Sequence, residues 1–236
     1  MTHFRIPASN KSHAILPRFM TNPLQDTNDI QVAMHLFIAL FFSISLLFSA
    51  CSTVGGDVQA GRNALQTGRP NDALGYLTRA AATDPNYKIP YRVGVSVLDY
   101  LGRAYLETGQ DVEARRTLER AVKLNPDDPL AHLYLGVAML KTGEIQDGRK
   151  EIEAGLRAID DTLEYIAADL VFGFYWDPSM QIRNEIRKTL AAKLNDSQLI
   201  AAGQSIGREF DEEIDKARRD ERRGRGGSDS GGGGGS

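Results

Sequence analysis

Residues 95–126 read VSVLDYLGRAYLETGQDVEARRTLERAVKLNP, and this stretch decides the fold. Its apolar residues recur at intervals of three and four, in two runs that Gly109 separates. This spacing predicts two amphipathic helices. The second helix should end near Asn125, because the residue before a proline is biased away from helical conformation. Small residues such as Gly102 and Ala114 let two antiparallel helices cross closely. The stretch is therefore a helical hairpin.

This hairpin carries a recognisable order of residues. The positions that carry it are Leu98, Leu101, Gly102, Tyr105, Ala114, Leu118, Ala121 and Pro126. In this order the hairpin resembles the tetratricopeptide repeat (TPR), in which helical hairpins stack with a period of about 34 residues. Leu98 stands where the family usually has Trp. Since one hairpin leaves an apolar face uncovered, the resemblance implies neighbouring repeats.

The same signature recurs on both sides of the hairpin. Pro85 ends an upstream copy, and Asp160 stands where the downstream copy should have proline. The spacing is 41 residues from Pro85 to Pro126 and 34 residues from Pro126 to Asp160. We expect the seven extra residues, near 88–94, to lengthen the first helix of the middle repeat.

The predicted fold is all-α, a TPR-like helical-hairpin solenoid of about three repeats with C-terminal capping helices. The repeat array spans 58–160, with repeats at 58–85, 88–126 and 129–160. A new helical segment is expected after Asp161, with Asp177 as the N-cap of one helix and Pro178 in its first turn. Residues 161–222 form a helical cap and extension, whose charged part from Asp211 onward is expected to be solvated. Residues 223–236 form a disordered Gly-rich tail.

The first 50 residues are expected to be an N-terminal extension and signal peptide. Its apolar core, 36–50, reads LFIALFFSISLLFSA. These fifteen residues are fewer than the roughly 20 of a comfortable membrane span, and this length is typical of a signal peptide. The core ends at Cys51, the chain's single cysteine.

The sequence Ser49-Ala50-Cys51 resembles the bacterial lipobox. The resemblance implies cleavage before Cys51 and lipidation of that cysteine, with residues 51–57 as lipidated Cys and tether. It also implies the bacterial cell envelope, facing the periplasm, and the outer membrane because Ser52 follows the cysteine. The alternative is an inner-membrane TPR protein whose apolar helix is an uncleaved signal anchor.

Composition offers little for catalysis. The net charge of −3 gives no reason to expect nucleic acid. After cleavage His132 is the only histidine and no free thiol remains, so common nucleophile–base pairs and His or Cys metal sites cannot be assembled. We therefore predict no enzyme activity, no cofactor and no metal. The rival prediction is a cell-wall-polymer hydrolase that uses carboxylates of the helical cap.

The TPR resemblance implies that the first helix of each repeat lines a concave groove. A protein partner, as a peptide or helix, is expected to bind there, because rigid aromatic rings and Arg are common anchors. The predicted groove residues are Arg62, Asp99, Tyr100, Arg103, Tyr134 and Lys141. Trp176 is a possible second partner surface if it is exposed. The expected function is a non-catalytic, membrane-anchored TPR adaptor or scaffold.

Overall fold

The computed structural model describes residues 53–169, 171 and 173–228. This part of the chain contains eight α-helices and no β-strand, so the all-α, TPR-like prediction is confirmed. The helices are α1 (Val54–Gln66), α2 (Pro70–Thr83), α3 (Val97–Glu107), α4 (Asp111–Leu124), α5 (Pro129–Lys141), α6 (Ile145–Asp169), α7 (Gln181–Ala191) and α8 (Asp196–Ser228).

The predicted signal peptide, Cys51 and the end of the Gly-rich tail lie outside the described residues. Across the described ranges, no helix combines the length and the apolar character that a membrane span needs.

The first six helices pair as three hairpins, α1/α2, α3/α4 and α5/α6. A glycine sits at the same crossing in the first two hairpins. A Cβ built on Gly61 would lie 2.5 Å from Cγ of Leu77, and one on Gly102 would lie 2.5 Å from Cγ of Leu118. Each turn closes on a glycine with positive φ, as at Gly109. The TPR signature therefore marks the places where the backbone must turn and where helices meet most closely.

The seven extra residues of the middle repeat form a loop, so the predicted longer helix is wrong. Residues 84–96 connect α2 to α3, and the backbone N–H of Ile89 donates to the carbonyl of Val95 at 3.0 Å. Ile89 and Val95 are buried. Pro90 supplies no backbone donor and disfavours a helix interior. Helix α3 begins only at Val97, with a capping box between Ser96 and Asp99.

Helix α6 continues past the point where the third repeat was expected to end. It runs for 25 residues through Asp160 and Asp161. Leu156, Ile159 and Leu163 keep its apolar stripe at intervals of three and four, and all are fully buried. No new element begins at Asp161, because this stripe outweighs the weak helix propensity of two Asp residues.

Asp177 stabilises the start of α7, although it does not occupy the predicted N-cap position. Helix α7 begins at Gln181, so Asp177 is not the residue that immediately precedes it. Its carboxylate nevertheless accepts the N–H groups of Ile182 and Arg183 at 3.1 and 3.2 Å. The Asp177 carboxylate therefore caps α7, as predicted, but from four residues before the helix begins. Pro178 lies outside the helix and not in its first turn.

Helix α8 is 33 residues long and corrects the prediction of a solvated extension. Ile206, Phe210, Ile214 and Ala217 are buried. Its acidic residues Asp211, Glu213 and Glu221 are buried as well. The helix also includes residues 223–228, which were expected to be disordered. The buried apolar residues of α8 are spaced by four, four and three positions, so one face of this helix lies in the core.

Candidate functional site: the inner face of the repeats

The inner face is the surface formed by α1, α3 and α5, the first helices of the three repeats. Sequence reasoning expected an open groove here, but α8 occupies it. A Cβ built on Gly207 of α8 would lie 2.5 Å from Oη of Tyr134 on α5. A Cβ on Gly203 would lie 3.4 Å from Cγ2 of Val137. The α8 backbone therefore lies directly against α5.

One carboxylate of α8, Asp211, is held by donors from two repeats. Arg62 Nη2 donates to its Oδ1 at 2.7 Å, and the Tyr100 hydroxyl donates to the same oxygen at 2.7 Å. Arg103 Nη1 donates to Oδ2 at 3.3 Å. The side chains of Arg62 and Asp211 are each 1% exposed. The inner face is thus a carboxylate-binding site that the chain fills with its own Asp211.

Further acids complete the charge balance around the two arginines. Arg62 Nη1 also donates to Asp215 at 3.1 Å. Arg103 Nε donates to Glu107, one turn along α3, at 2.7 Å. Burial, and then the charge of Asp211, hold the pKa of Tyr100 well above its usual range. Its hydroxyl therefore stays protonated and donates at neutral pH.

Three predicted site residues have other contacts. Asp99 accepts the N–H of Ser96 in the capping box at 2.8 Å and is buried. Tyr134 is buried beneath α8. Lys141 is partly exposed and pairs with Asp111 of α4 at 2.6 Å. The structure therefore brings Arg62, Tyr100 and Arg103 together around one ligand and assigns Asp99 and Lys141 to packing and pairing within the repeats.

Trp176 does not meet the condition set for a partner surface, because it is only 1% exposed. Its ring stacks on Tyr91 with centroids 5.8 Å apart. Its Nε1–H donates to Glu221 at 3.1 Å. Trp176 thus ties the loop before α3 to the distal part of α8.

The TPR repeat family model matches residues 102–143. The match supports a TPR protein. It covers the end of α3, all of α4 and α5, and the turn after α5. No curated protein matches the chain. TPR repeats commonly bind protein partners, and TPR proteins are generally non-catalytic scaffolds.

A surface pocket of about 320 Å³ is lined by acids of the C-terminal helices, the kind of residue on which the rival hydrolase prediction depends. Glu209, Glu212 and Glu213 all come from α8, and Asp177, whose backbone N–H donates to Glu213 at 2.8 Å, is the fourth acid of the lining. Asp177 is buried and accepts Arg183 Nε at 3.1 Å in addition to two backbone N–H groups. Its carboxylate is therefore committed to capping α7.

The possible metal ligands are scattered in the part of the chain that the structure describes. No group of three or more His, Cys, Asp or Glu side chains is placed there to hold a metal ion. His132 instead contacts Glu151 through Nδ1 at 2.6 Å and the carbonyl of Pro126 through Nε2 at 2.7 Å.

Sequence reasoning missed the occupant of the inner face. The signal was present, because the apolar stripe of α8 runs on through Phe210 and Ile214 into the charged segment. The density of charge there obscured it. A second feature, the group of arginines at Arg92, Arg218 and Arg222, gave no local signal, since Arg92 lies more than a hundred residues before the other two in the chain.

Proposed function

We propose that this chain is a non-catalytic TPR adaptor that binds a protein partner in the bacterial cell envelope. The observation that carries the protein-binding part is the TPR repeat match over residues 102–143, since TPR repeats commonly bind protein partners. The inner face shows this capacity within the chain, because it covers the apolar stripe of an amphipathic helix and pairs with its carboxylate. Grooves that take up helices from other proteins use the same chemistry. Here the helix is α8, so this surface is already used.

A partner that entered the inner face would first have to displace α8. Ile206, Phe210 and Ile214 are at most 2% exposed. Exposing three such side chains costs roughly 5–9 kcal/mol. A partner that then covered Arg62 and Arg103 without supplying a carboxylate in place of Asp211 would leave two buried charges unpaired, which is strongly destabilising. In our proposal α8 stays in place, Arg62, Tyr100 and Arg103 hold it there through Asp211, and the partner binds outside the inner face.

The membrane part of the proposal concerns Cys51. We propose that the apolar segment 36–50 is a signal peptide and that acyl chains on Cys51 anchor the mature chain facing the periplasm. Its support is the short apolar run that ends at the chain's single cysteine. Mass spectrometry of protein extracted from membranes tests this proposal. A mature chain that begins at modified Cys51 is expected, and an intact N-terminus would favour an uncleaved inner-membrane anchor instead.

Partner binding is tested with α8 locked in place. A Cβ on residue 203 lies 3.4 Å from Cγ2 of Val137, which puts the two Cβ atoms near the separation that a disulfide needs. The double variant V137C/G203C therefore joins α8 to α5 when it is oxidised. If Cys51 is lipidated, these are the only free thiols of the mature chain.

The experiment compares the oxidised and reduced variant in cross-linking and pull-down from the native membrane. One defined partner captured equally well in both states is the expected result. Capture that disappears on oxidation and returns on reduction would show that the partner enters the inner face. Failure of the wild-type chain to capture any defined partner would refute the adaptor function.

A further inference from the structure

A second surface feature lies at the distal part of α8, and we call it the basic pocket. It has a volume of about 440 Å³, within the range of ligand sites in proteins. It lies between the loop that precedes α3 and the last turns of α8. Its lining residues are Pro90, Tyr91, Arg92, Arg218, Glu221 and Arg222.

The basic pocket contains three arginines and one acid. Glu221 is buried and already has two partners, Arg92 Nε at 3.0 Å and Trp176 Nε1 at 3.1 Å. Among the described residues, no carboxylate forms an ion pair with Arg218 or Arg222. Arg218 lies over the ring of Tyr91 at 5.7 Å. Arg222 Nε donates to the carbonyl of Arg218 at 3.3 Å. Two positive charges therefore remain without an anion.

Helix stability does not explain this arrangement. Like charges four residues apart on a helix repel each other by roughly 0.2–0.5 kcal/mol. The helix dipole favours cations only within about the last turn. Helix α8 ends at Ser228, more than one turn beyond Arg222. Arg92 approaches the same pocket from a different element. A bound anion would relieve the repulsion that the chain itself leaves uncompensated.

The floor of the basic pocket is held in place from below. Tyr91 stacks on buried Trp176, and Arg92 Nη2 donates to the carbonyl of Val171 at 3.0 Å. Burial and the nearby Glu221 raise the pKa of Tyr91 to about 12. Tyr91 therefore stays neutral and does not offset the charge of the arginines. A site that is already ordered loses less entropy when it binds a ligand.

We propose that the basic pocket is the docking site for a short acidic segment of a partner protein. Glu or Asp carboxylates of the segment pair with Arg218 and Arg222, which can each bind a carboxylate through two parallel hydrogen bonds. This inference rests on the proposed adaptor function and assigns its partner surface. A short segment fits better than a long polyanion, because Asp220, Glu212 and Glu209 lie on the same helix and would repel a nucleic acid.

The test uses the full chain and a fluorescein-labelled hexaglutamate peptide, with hexaglutamine as the neutral peptide. The test variant is R218Q/R222Q. The matched control is R219Q/R223Q, which removes the same charge from the same helix; Arg223 is 82% exposed and only 3.8 Å from Asp220. Circular dichroism and thermal unfolding verify that both variants fold.

Fluorescence anisotropy should show saturable, salt-sensitive binding of hexaglutamate to the wild type. The loss of two partly exposed ion pairs predicts about five- to thirtyfold weaker binding by R218Q/R222Q. The control should bind within about twofold of the wild type. Equal weakening in both variants, equal binding of hexaglutamine, or no saturable binding would each overturn the proposal. So would binding of inorganic phosphate or an oligonucleotide at Arg218 and Arg222 without binding of hexaglutamate.

The same variants separate this inference from the adaptor function. If the native partner is still captured by R218Q/R222Q, the adaptor function stands and the basic pocket is not its docking site. If capture is lost in R218Q/R222Q and kept in R219Q/R223Q, both stand.

Discussion

At the scale of single residues, two titratable groups make the stability of the repeats depend on pH. The first is Asp99, whose Oδ1 is buried without a hydrogen-bond partner in the described part of the chain. Burial, and then the charge of Asp128, hold the pKa of Asp99 well above its usual range. The folded state therefore favours the protonated acid. Stability from this group is full below the ordinary Asp pKa of about 3.9 and declines as the pH rises through the raised pKa.

We expect D99N to remove this decline. The amide oxygen can still accept the N–H of Ser96, and the amide nitrogen can donate towards Asp128. At pH 8 the variant should be more stable than the wild type by about 1 kcal/mol, while at pH 4 the difference should shrink. Urea unfolding at both pH values measures this. D72N, at an exposed acid in the first turn of α2, serves as control. A variant that is less stable than the wild type at pH 8 would contradict the expectation.

His132 is the second group, and its contribution to stability also falls as the pH rises. Burial opposes its charge, but hydrogen bonds to Glu151 and to the carbonyl of Pro126 raise its pKa overall. Its stabilising contribution is therefore full below the ordinary His pKa of about 6.5 and is lost as the pH rises through the raised pKa. H132Q should lower the free energy of unfolding more at pH 6 than at pH 9. If the difference between the variant and the wild type does not change with pH, the charged pair with Glu151 is not stabilising.

At the scale of helices, local sequence patterns predicted most helices of the repeats correctly. Gly109 and Pro126 marked the C-terminal ends of the two helices of the middle hairpin, and each helix ends two residues before its marker. These patterns gave the wrong helix bounds where tertiary contacts determine the conformation. The loop before α3 depends on Ile89 and Val95 reaching the core. The length of α6 depends on the burial of Leu163, which follows Asp160 and Asp161 in the chain.

The inner face was likewise predicted in part. The TPR resemblance implied that Arg62, Tyr100 and Arg103 line one groove, and they do converge. It did not reveal that Asp211 would lie among them, because Arg62 and Asp211 are 149 residues apart in the chain. The helix that looked most solvated by composition provides the carboxylate at the centre of the site.

Asp211 should therefore be the most sensitive acid of α8. D211N removes the negative charge shared by Arg62 and Arg103, and breaking a buried ion pair costs about 3–5 kcal/mol. D220N, on the same helix at a side chain 31% exposed, should change stability by less than about 0.5 kcal/mol. Chemical denaturation of both variants provides the comparison. Equal stability of the two would mean that the inner face does not depend on this carboxylate to hold α8.

At the scale of the whole molecule, α8 makes the repeats and the C-terminal helices one structure. It pairs with α1 and α3 through Asp211 and packs on α5 at Gly207. Its distal part contacts Arg92 and Trp176 through Glu221. An open TPR solenoid would expose its inner face to partners. In this chain α8 covers that face, so among the described residues the surfaces left to a partner are the outer faces of the repeats, the loop before α3 and the exposed side of α8.

Hydrogen exchange tests whether α8 belongs to the same cooperative unit as the repeats. The amides of residues 206–217 carry the buried stripe, so they should exchange as slowly as those of α5, through global unfolding. Amides of 223–228 should exchange faster, because helix ends fray. In D211N, exchange should accelerate along α8 and the gap to α5 should widen. If 206–217 exchange much faster than α5 in the wild type, α8 opens by itself, and the inner face becomes available to a partner after all.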